Sequence, residues 1–302
     1  MLHCKIHGTR KIIECLISTK NKYGLLIYHI IIYRKYGTEI MNSYRIALTH
    51  RPPLFRDGEK VFYVQKKLVE RNSEVAVTLS LICNRRLFGQ CYGQLMPKQF
   101  YAMGKHSGVM IFPFAPSTSI IPQITFPGDI DLLLIPYDNN ELIVSETLAI
   151  EIKIVRARYL KQGNAPNEFG FSQAKAILSH GFPYSAVAHL VVSDTSPIEA
   201  WRPTMVTTVL NAETGTIDTL KKINMDMLPI DLINRSFGRL KANCENESLG
   251  LLAAYISRDS ESLWLPSGRA ATKNPQFSQS TVAAIKEFYN SNFQHFLDTP
   301  KY

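Results

Sequence analysis

The chain has 302 residues, 45% hydrophobic, 20% charged and 10% aromatic. That balance excludes a disordered, collagenous or coiled-coil protein and allows a sizeable buried core. Lys plus Arg total 34 against 25 Asp plus Glu, a net charge of +9, which favours a polyanionic partner.

The basic excess sits at the start of the chain. Residues 1–60 carry 11 basic and 4 acidic side chains, leaving 23 and 21 for the rest. Residues 1–40 are rich in Ile, Tyr and Lys, lack Pro, and read as a basic extension outside the core; a conventional domain start follows at Met41. The longest apolar run, 24–33, is half of the roughly 20 residues a membrane span needs. Glu14, Lys20 and Lys22 interrupt the approach to it, so neither a signal peptide nor a membrane segment is expected. The five cysteines (Cys4, Cys15, Cys83, Cys91, Cys244) show no C-x-x-C spacing. That argues against a disulfide framework or zinc ribbon and for a cytoplasmic setting.

A helix is predicted over 59–72 from the stripe Val61, Val64, Leu68 and Val69. Residues 75–83 suit a strand or a buried helix equally. Short apolar runs at 109–114, 120–126, 130–135 and 148–155, punctuated by Pro and Gly, predict strands. A helix over 172–180, stopped by Gly181 and Pro183, leads to a fully apolar strand at 186–193. Further strands are expected at 205–210 and 249–257, and a helix at 281–297. Strands, a helix and a strand buried on both faces predict an α/β layered domain.

Chemistry concentrates between 126 and 153. Side chains alternate along a strand, so Glu151 and Lys153 share one face while Ile150, Ile152 and Ile154 face the core. Asp129 and Asp131 likewise share one face of the preceding element. If the two strands are neighbours, three carboxylates and an ammonium converge. Crowded carboxylates repel unless a cation sits among them. Oxygen ligands of this kind suit Mg²⁺, with Mn²⁺ able to substitute, and such a metal supports phosphodiester hydrolysis.

The residues Pro127-Gly128-Asp129-Ile130-Asp131, Glu151-Ile152-Lys153 and Gln173 resemble the PD-(D/E)xK nuclease superfamily. The resemblance implies a restriction-endonuclease-like mixed β-sheet flanked by helices and a catalytic set of Asp131, Glu151, Lys153 and Gln173. It implies a metal held by Asp131, Glu151 and the Ile152 backbone carbonyl, with Asp129 as second choice for the carboxylate. In such a site the Lys assists the attacking water.

Arg156, Arg158, Lys161 and Lys175 form the densest basic run outside the N-terminus and are expected to contact nucleic-acid phosphates; a charged, solvated loop is the bland alternative. Glu70 and Glu74 are the candidates for an upstream acid, weighed against a solvent-facing helical Glu. Trp201, Arg202, Arg235, Arg239 and Lys241 could touch nucleic acid, although a packed Trp and a charged helix face are commoner. His180 and His189 are expected as a cap and a core-edge residue rather than ligands. No P-loop, G-x-G-x-x-G or G-x-S-x-G is present, which argues against nucleotide-driven or serine chemistry.

The expectation is a Mg²⁺-dependent endonuclease acting on nucleic acid, most readily DNA, with a nuclease domain over 41–265 and a helical segment over 266–302 packing on it. A homodimer would suit paired cuts in a duplex. The alternative is a catalytically inactive nucleic-acid-binding protein of the same fold.

Overall fold

The structure, a computed structural model, describes residues 2–7, 12–20, 26–34, 45–53, 57–60, 62–122, 128–166, 168–257 and 264–301. Met41, Val61, Phe126 and Pro127, used above, lie outside the described residues. The chain divides into two compact units, Met1–Ser43 and Tyr44–Tyr302. In the first, β1 (Leu2–His7), β2 (Ile12–Lys20) and β3 (Leu26–Arg34) pair antiparallel in that order. Their many isoleucines favour the extended backbone.

The second unit opens with β4 (Arg45–Ala47) and four helices, α1 (Lys66–Glu70), α2 (Glu74–Cys83), α3 (Arg85–Leu95) and α4 (Pro97–Ala102). Then come β5 (Ser107–Ala115), α5 (Ser117–Ile120), β6 (Ile130–Asp138), β7 (Glu141–Ile143), β8 (Leu148–Arg156), α6 (Phe171–Ser179) and β9 (Tyr184–Val192). An exposed ribbon follows, in which β10 (Arg202–Val206) pairs with β13 (Lys221–Met225) and β11 (Val209–Asn211) with β12 (Thr216–Ile217). The chain closes with α7 (Leu228–Asn243), β14 (Gly250–Tyr255), β15 (Ser267–Arg269), α8 (Gln279–Asn292) and β16 (Leu297–Pro300).

The main sheet runs β15-β14-β9-β8-β6-β5-β16, with β7 also beside β6 and β4 beside β7. β8, β9 and β14 are parallel neighbours, whereas β5, β6 and β8 alternate in direction, so the sheet is mixed. Helices cover both faces. On one, Leu132, Leu134, Ile150, Ile152 and Leu190 pack with Val77 and Leu81 of α2 and Phe88 and Leu95 of α3. On the other, Met110, Leu133, Ile135 and Ala149 meet Ile177 of α6 and Ile285, Phe288 and Tyr289 of α8. Each such side chain contributes roughly 1.5–3 kcal/mol when fully buried. That is why β8 and β9 read as near-continuous apolar runs.

Several predicted elements differ. The 59–72 helix reduces to the five residues of α1, none of them buried; of its apolar stripe, Val64 and Leu68 are half-buried and Val69 is exposed. The ambiguous 75–83 run is helix α2, started by Ser73, whose Oγ accepts from the Ala76 N–H at 3.3 Å. Helices α3 and α4, which the periodicity did not predict, begin at an Asn84 side-chain cap and at Pro97. Ile120, placed in a strand, ends α5 instead, ahead of Pro122.

The 266–302 segment is more than a packed helix. It supplies the strands at the two ends of the main run of the sheet, β15 and β16. Asp298 of β16 explains part of that docking, accepting from Tyr137 Oη at 2.7 Å and pairing with Arg51 at 2.9 Å. The helix expected at 281–297 therefore stops at Asn292, and Phe296 is buried from a separate turn.

The main sheet, both its edges and its helices all lie within 44–302. A chain beginning at Met41 is therefore expected to unfold in urea at the same midpoint as the full chain. Its binding to polyanions should show a shallower salt dependence, by about 0.9 for each phosphate that residues 1–40 neutralise. A lowered midpoint would place residues 1–40 in the folding core.

Candidate functional site

The β6–β8 ladder covers three pairs, Leu132–Ile150, Leu133–Ala149 and Leu134–Leu148. One residue beyond it on β6 stands Asp131; one residue beyond it on β8 stands Glu151. There the ladder ends, and the Ile152 N–H donates to Asp131 Oδ2 at 2.6 Å rather than to a strand carbonyl. A buried N–H must find an acceptor, and here the acceptor is a carboxylate. Asp131 is 7% exposed and Glu151 2%.

Glu151 is walled in by Gly170, which precedes α6 at φ +85°. A Cβ at Gly170 would lie 2.9 Å from Glu151 Cγ and 3.5 Å from Lys153 Cγ, so only glycine fits. Lys153 Nζ lies 2.7 Å from Glu151 Oε1 and donates to Gln173 Oε1, on α6, at 3.2 Å. Gly128 (φ +118°) approaches the other end of the Gln173 amide, and Ser117 Oγ donates to the Gly128 carbonyl at 2.8 Å. The structure thus brings Asp131, Glu151, Lys153 and Gln173 together. Asp129 sits outside this group, exposed at the entrance to β6.

Of the two upstream acids, Glu74 belongs here. It opens α2, lines a cleft of about 640 Å³ with Lys153 and Arg156, and its charge acts on Asp131, Glu151 and Lys153. Glu70 pairs instead with Lys66 in an exposed i,i+4 bridge.

Burial, then the neighbouring Glu151 charge, pushes Asp131 up to about 8, against the pull of the Ile152 N–H. Burial also raises Glu151, although the Lys153 ammonium opposes it. Burial draws Lys153 down, but its bond to Glu151 and the charges of Glu151, Glu74 and Asp131 outweigh it, and the net shift is up. Next to Lys153 in the β8–β9 register lies His189, buried and lowered to about 4, chiefly by desolvation. Its Nδ1 contacts Ser236 Oγ at 3.0 Å, so it is a neutral core residue that adds no charge beside the ammonium.

Two buried carboxylates that resist joint ionisation form a donor set suited to a hard divalent cation, which would offset both charges. Among the described residues no three His, Cys, Asp or Glu side chains gather as a metal cage. Asp131 and Glu151 would need a backbone carbonyl, such as that of Ile152, and outside oxygens to complete the shell.

The basic run divides. Arg156 donates to the Asn72 carbonyl at 2.6 and 3.1 Å and to that of Arg71 at 3.3 Å. Its guanidinium thus holds the turn that launches Glu74, a role its place in a basic run does not suggest. Arg156, Arg158 and Lys161 line a neighbouring cleft of about 850 Å³, whereas Lys175 stands apart, 3.9 Å from Glu245. The 157–169 loop is pinned from α7, where Arg239 donates to the carbonyls of Asn164 (2.7 Å) and Gly163 (3.2 Å) and Arg235 reaches Gln162 at 3.4 Å. Arg202 pairs with Asp231, and the Trp201 indole N–H donates to the Ser196 carbonyl. These four residues have internal partners. Gly170 was not among the expected site residues, although a glycine opening a helix just past a (D/E)-x-K strand is a legible sign of close packing.

No helix among the described residues is long and apolar enough to cross a membrane. Comparison with family models, curated proteins and solved structures finds no match to this chain.

Gly170→Ala should cost about 1–3 kcal/mol through its left-handed backbone alone. It should also displace Glu151, which adds to the fall in melting temperature. An unchanged melting temperature would contradict the close packing.

Asp131 supplies a pH test. Its folded value, near 8, exceeds its ordinary 3.8, so the folded state holds the proton more tightly. The stability this confers is full at low pH and is lost as pH rises from about 4 to about 8. Without metal, wild type should therefore lose stability relative to Asp131→Asn between pH 5 and pH 7.5, on the order of 1 kcal/mol per unit. His189, lowered, acts in the opposite sense below pH 6.5 but is common to both proteins, so urea unfolding of the pair reports the joint titration of Asp131 and Glu151. Parallel curves would remove the shift.

Proposed function

We propose that the protein is a divalent-metal-dependent nuclease of the PD-(D/E)xK kind that hydrolyses phosphodiester bonds of DNA, and that its mixed sheet is a restriction-endonuclease-like core. One observation carries the reading: Asp131 and Glu151 converge where the β6–β8 ladder ends, with Lys153 bridging to Gln173. Carboxylates held this way fit a hard cation: Asp131 also satisfies the Ile152 N–H, but the buried charge of Glu151 beside it is costly without a cation.

Asp131, Glu151 and the Ile152 carbonyl would hold Mg²⁺ or Mn²⁺, which when bound acidifies water and offsets charge on a phosphoryl group. Asp131 keeps its orientation through the Ile152 N–H, so little freedom is lost on coordination. Glu151 is held between Gly170 and Lys153. The ammonium of Lys153, whose pKa is raised, is a donor rather than a base: it orients the attacking water or a phosphate oxygen and is itself aimed by Gln173. Glu74 adds a negative charge that keeps Lys153 protonated. Arg158 and Lys161, in the adjoining cleft, would receive backbone phosphates.

The test incubates the full chain with duplex DNA, single-stranded DNA and RNA, with Mg²⁺ or Mn²⁺ and with EDTA. Cleavage of DNA should require metal. Lys153→Ala should slow it by about a hundredfold or more with folding and DNA binding retained. Asp131→Asn should lose metal affinity and activity, while Asp129→Asn retains activity recoverable with more metal. Binding without metal-dependent cleavage would leave the non-catalytic binder. Wild-type rates in Lys153→Ala would falsify the assignment of that residue.

A further inference from the structure

Away from the carboxylates, helices α3 and α4, strand β5 and the edge strand β16 line a second cavity of about 680 Å³. It shares no lining residue with the clefts at Lys153. Its size falls in the range of small-molecule sites.

The wall is aromatic. Phe88 and Tyr92 lie parallel on α3 with ring centroids 6.4 Å apart, Tyr92 meets Phe100 edge-on, and Phe100 meets Tyr101 edge-on at 5.5 Å. Tyr101 nonetheless remains 78% exposed, an unusual state for so large a ring beside an apolar cavity. Gly89 leaves the α3 side open: a Cβ there would meet nothing within 4 Å.

The charge is one-sided. Arg85, Arg86 and Lys301 line the cavity and no Asp or Glu does. Arg85 donates to the Pro300 carbonyl. Lys301 Nζ donates to the carbonyls of Phe100 (2.8 Å) and Met103 (3.1 Å) and lies 4.8 Å from the Phe100 ring centroid. Arg86 makes no hydrogen bond or ion pair among the described residues. A planar guanidinium beside aromatic walls matches a ligand that pairs a flat ring with an anionic group.

We propose that this cavity binds a small aromatic anion, a ring system carrying one phosphate, sulfonate or carboxylate. The ring packs against Tyr101 and the half-buried Phe100, and the anion meets the exposed Arg86. The site does not depend on the nuclease reading, and its test involves no cleavage.

The probe is anilinonaphthalene sulfonate, titrated by fluorescence into the full native chain. Saturable binding is expected at one class of site, competed by naphthoate or by AMP; whichever competes distinguishes an aryl acid from a nucleotide as the source. Laurate, an anion without a ring, and adenosine, a ring without an anion, should not compete. Arg86→Glu should weaken the probe by about tenfold or more, as expected for removing one charge-assisted hydrogen bond. Gly89→Leu should fill the cavity and abolish binding. Because Gly89 is helical with open space around it, that variant should unfold at or above the wild-type midpoint, so lost binding cannot be ascribed to misfolding. Unchanged affinity in both variants overturns the proposal, as does competition by laurate or adenosine alone.

Discussion

A buried backbone N–H without a strand partner organises the site. Where β6 and β8 cease to pair, the Ile152 N–H would be orphaned in the interior, and the Asp131 carboxylate takes it at 2.6 Å. That bond draws a negative charge into the sheet beside Glu151, itself almost wholly enclosed. Two such groups cannot both ionise cheaply. The molecule carries the conflict as a proton held by Asp131 well above its ordinary range and as an ammonium pressed against Glu151. In the proposed nuclease a cation would release both.

The rest of the unit holds this conflict in place. Helix α2 contributes Glu74 through a Ser73 cap and a turn gripped by Arg156, itself at the far end of β8. Helix α6 contributes Gln173 and, just before it, the one glycine that lets the helix start against Glu151. The loop between β8 and α6 is fastened by α7 and by Asn164, which donates to the Arg156 carbonyl. The apolar face of β8, with Ile150, Ile152 and Ile154 packed under α2 and α3, anchors the strand that carries Glu151 and Lys153.

A second theme is the use of arginine. Arg156, Arg202, Arg235 and Arg239 all read as cationic surface, yet each commits its guanidinium to internal carbonyls or to a carboxylate or amide oxygen. Their planar donors suit several acceptors at once, so they fasten loops as readily as they meet phosphates. Arg86 and the cleft-lining Arg158 and Lys161 make no side-chain hydrogen bond or ion pair among the described residues.

What the sequence determined by itself is whatever depends on neighbours two to four residues away. The alternation around Glu151-Ile152-Lys153, the alternation that pairs Asp131 with Leu133 on one face, and the apolar run of β9 are local, and they led to the strands and to Asp131, Glu151 and Lys153, whereas Gln173 was implied only by the family resemblance. Residues 172–180 likewise announced most of the helix Phe171–Ser179. Tertiary structure decided everything whose partner is distant. Residues 62–65 stay outside any helix although the stripe runs through them, and 75–83 became α2 because the sheet offered a face to cover. The choice of Glu74 over Glu70 rested on which one turned toward Lys153, and the duty of Arg156 on a carbonyl 84 residues away. Residues 297–300 became a strand only because the β5 edge was open to receive them. A sequence states which side chains are available; the long-range pairing of strands, which local periodicity does not encode, selects which of them meet.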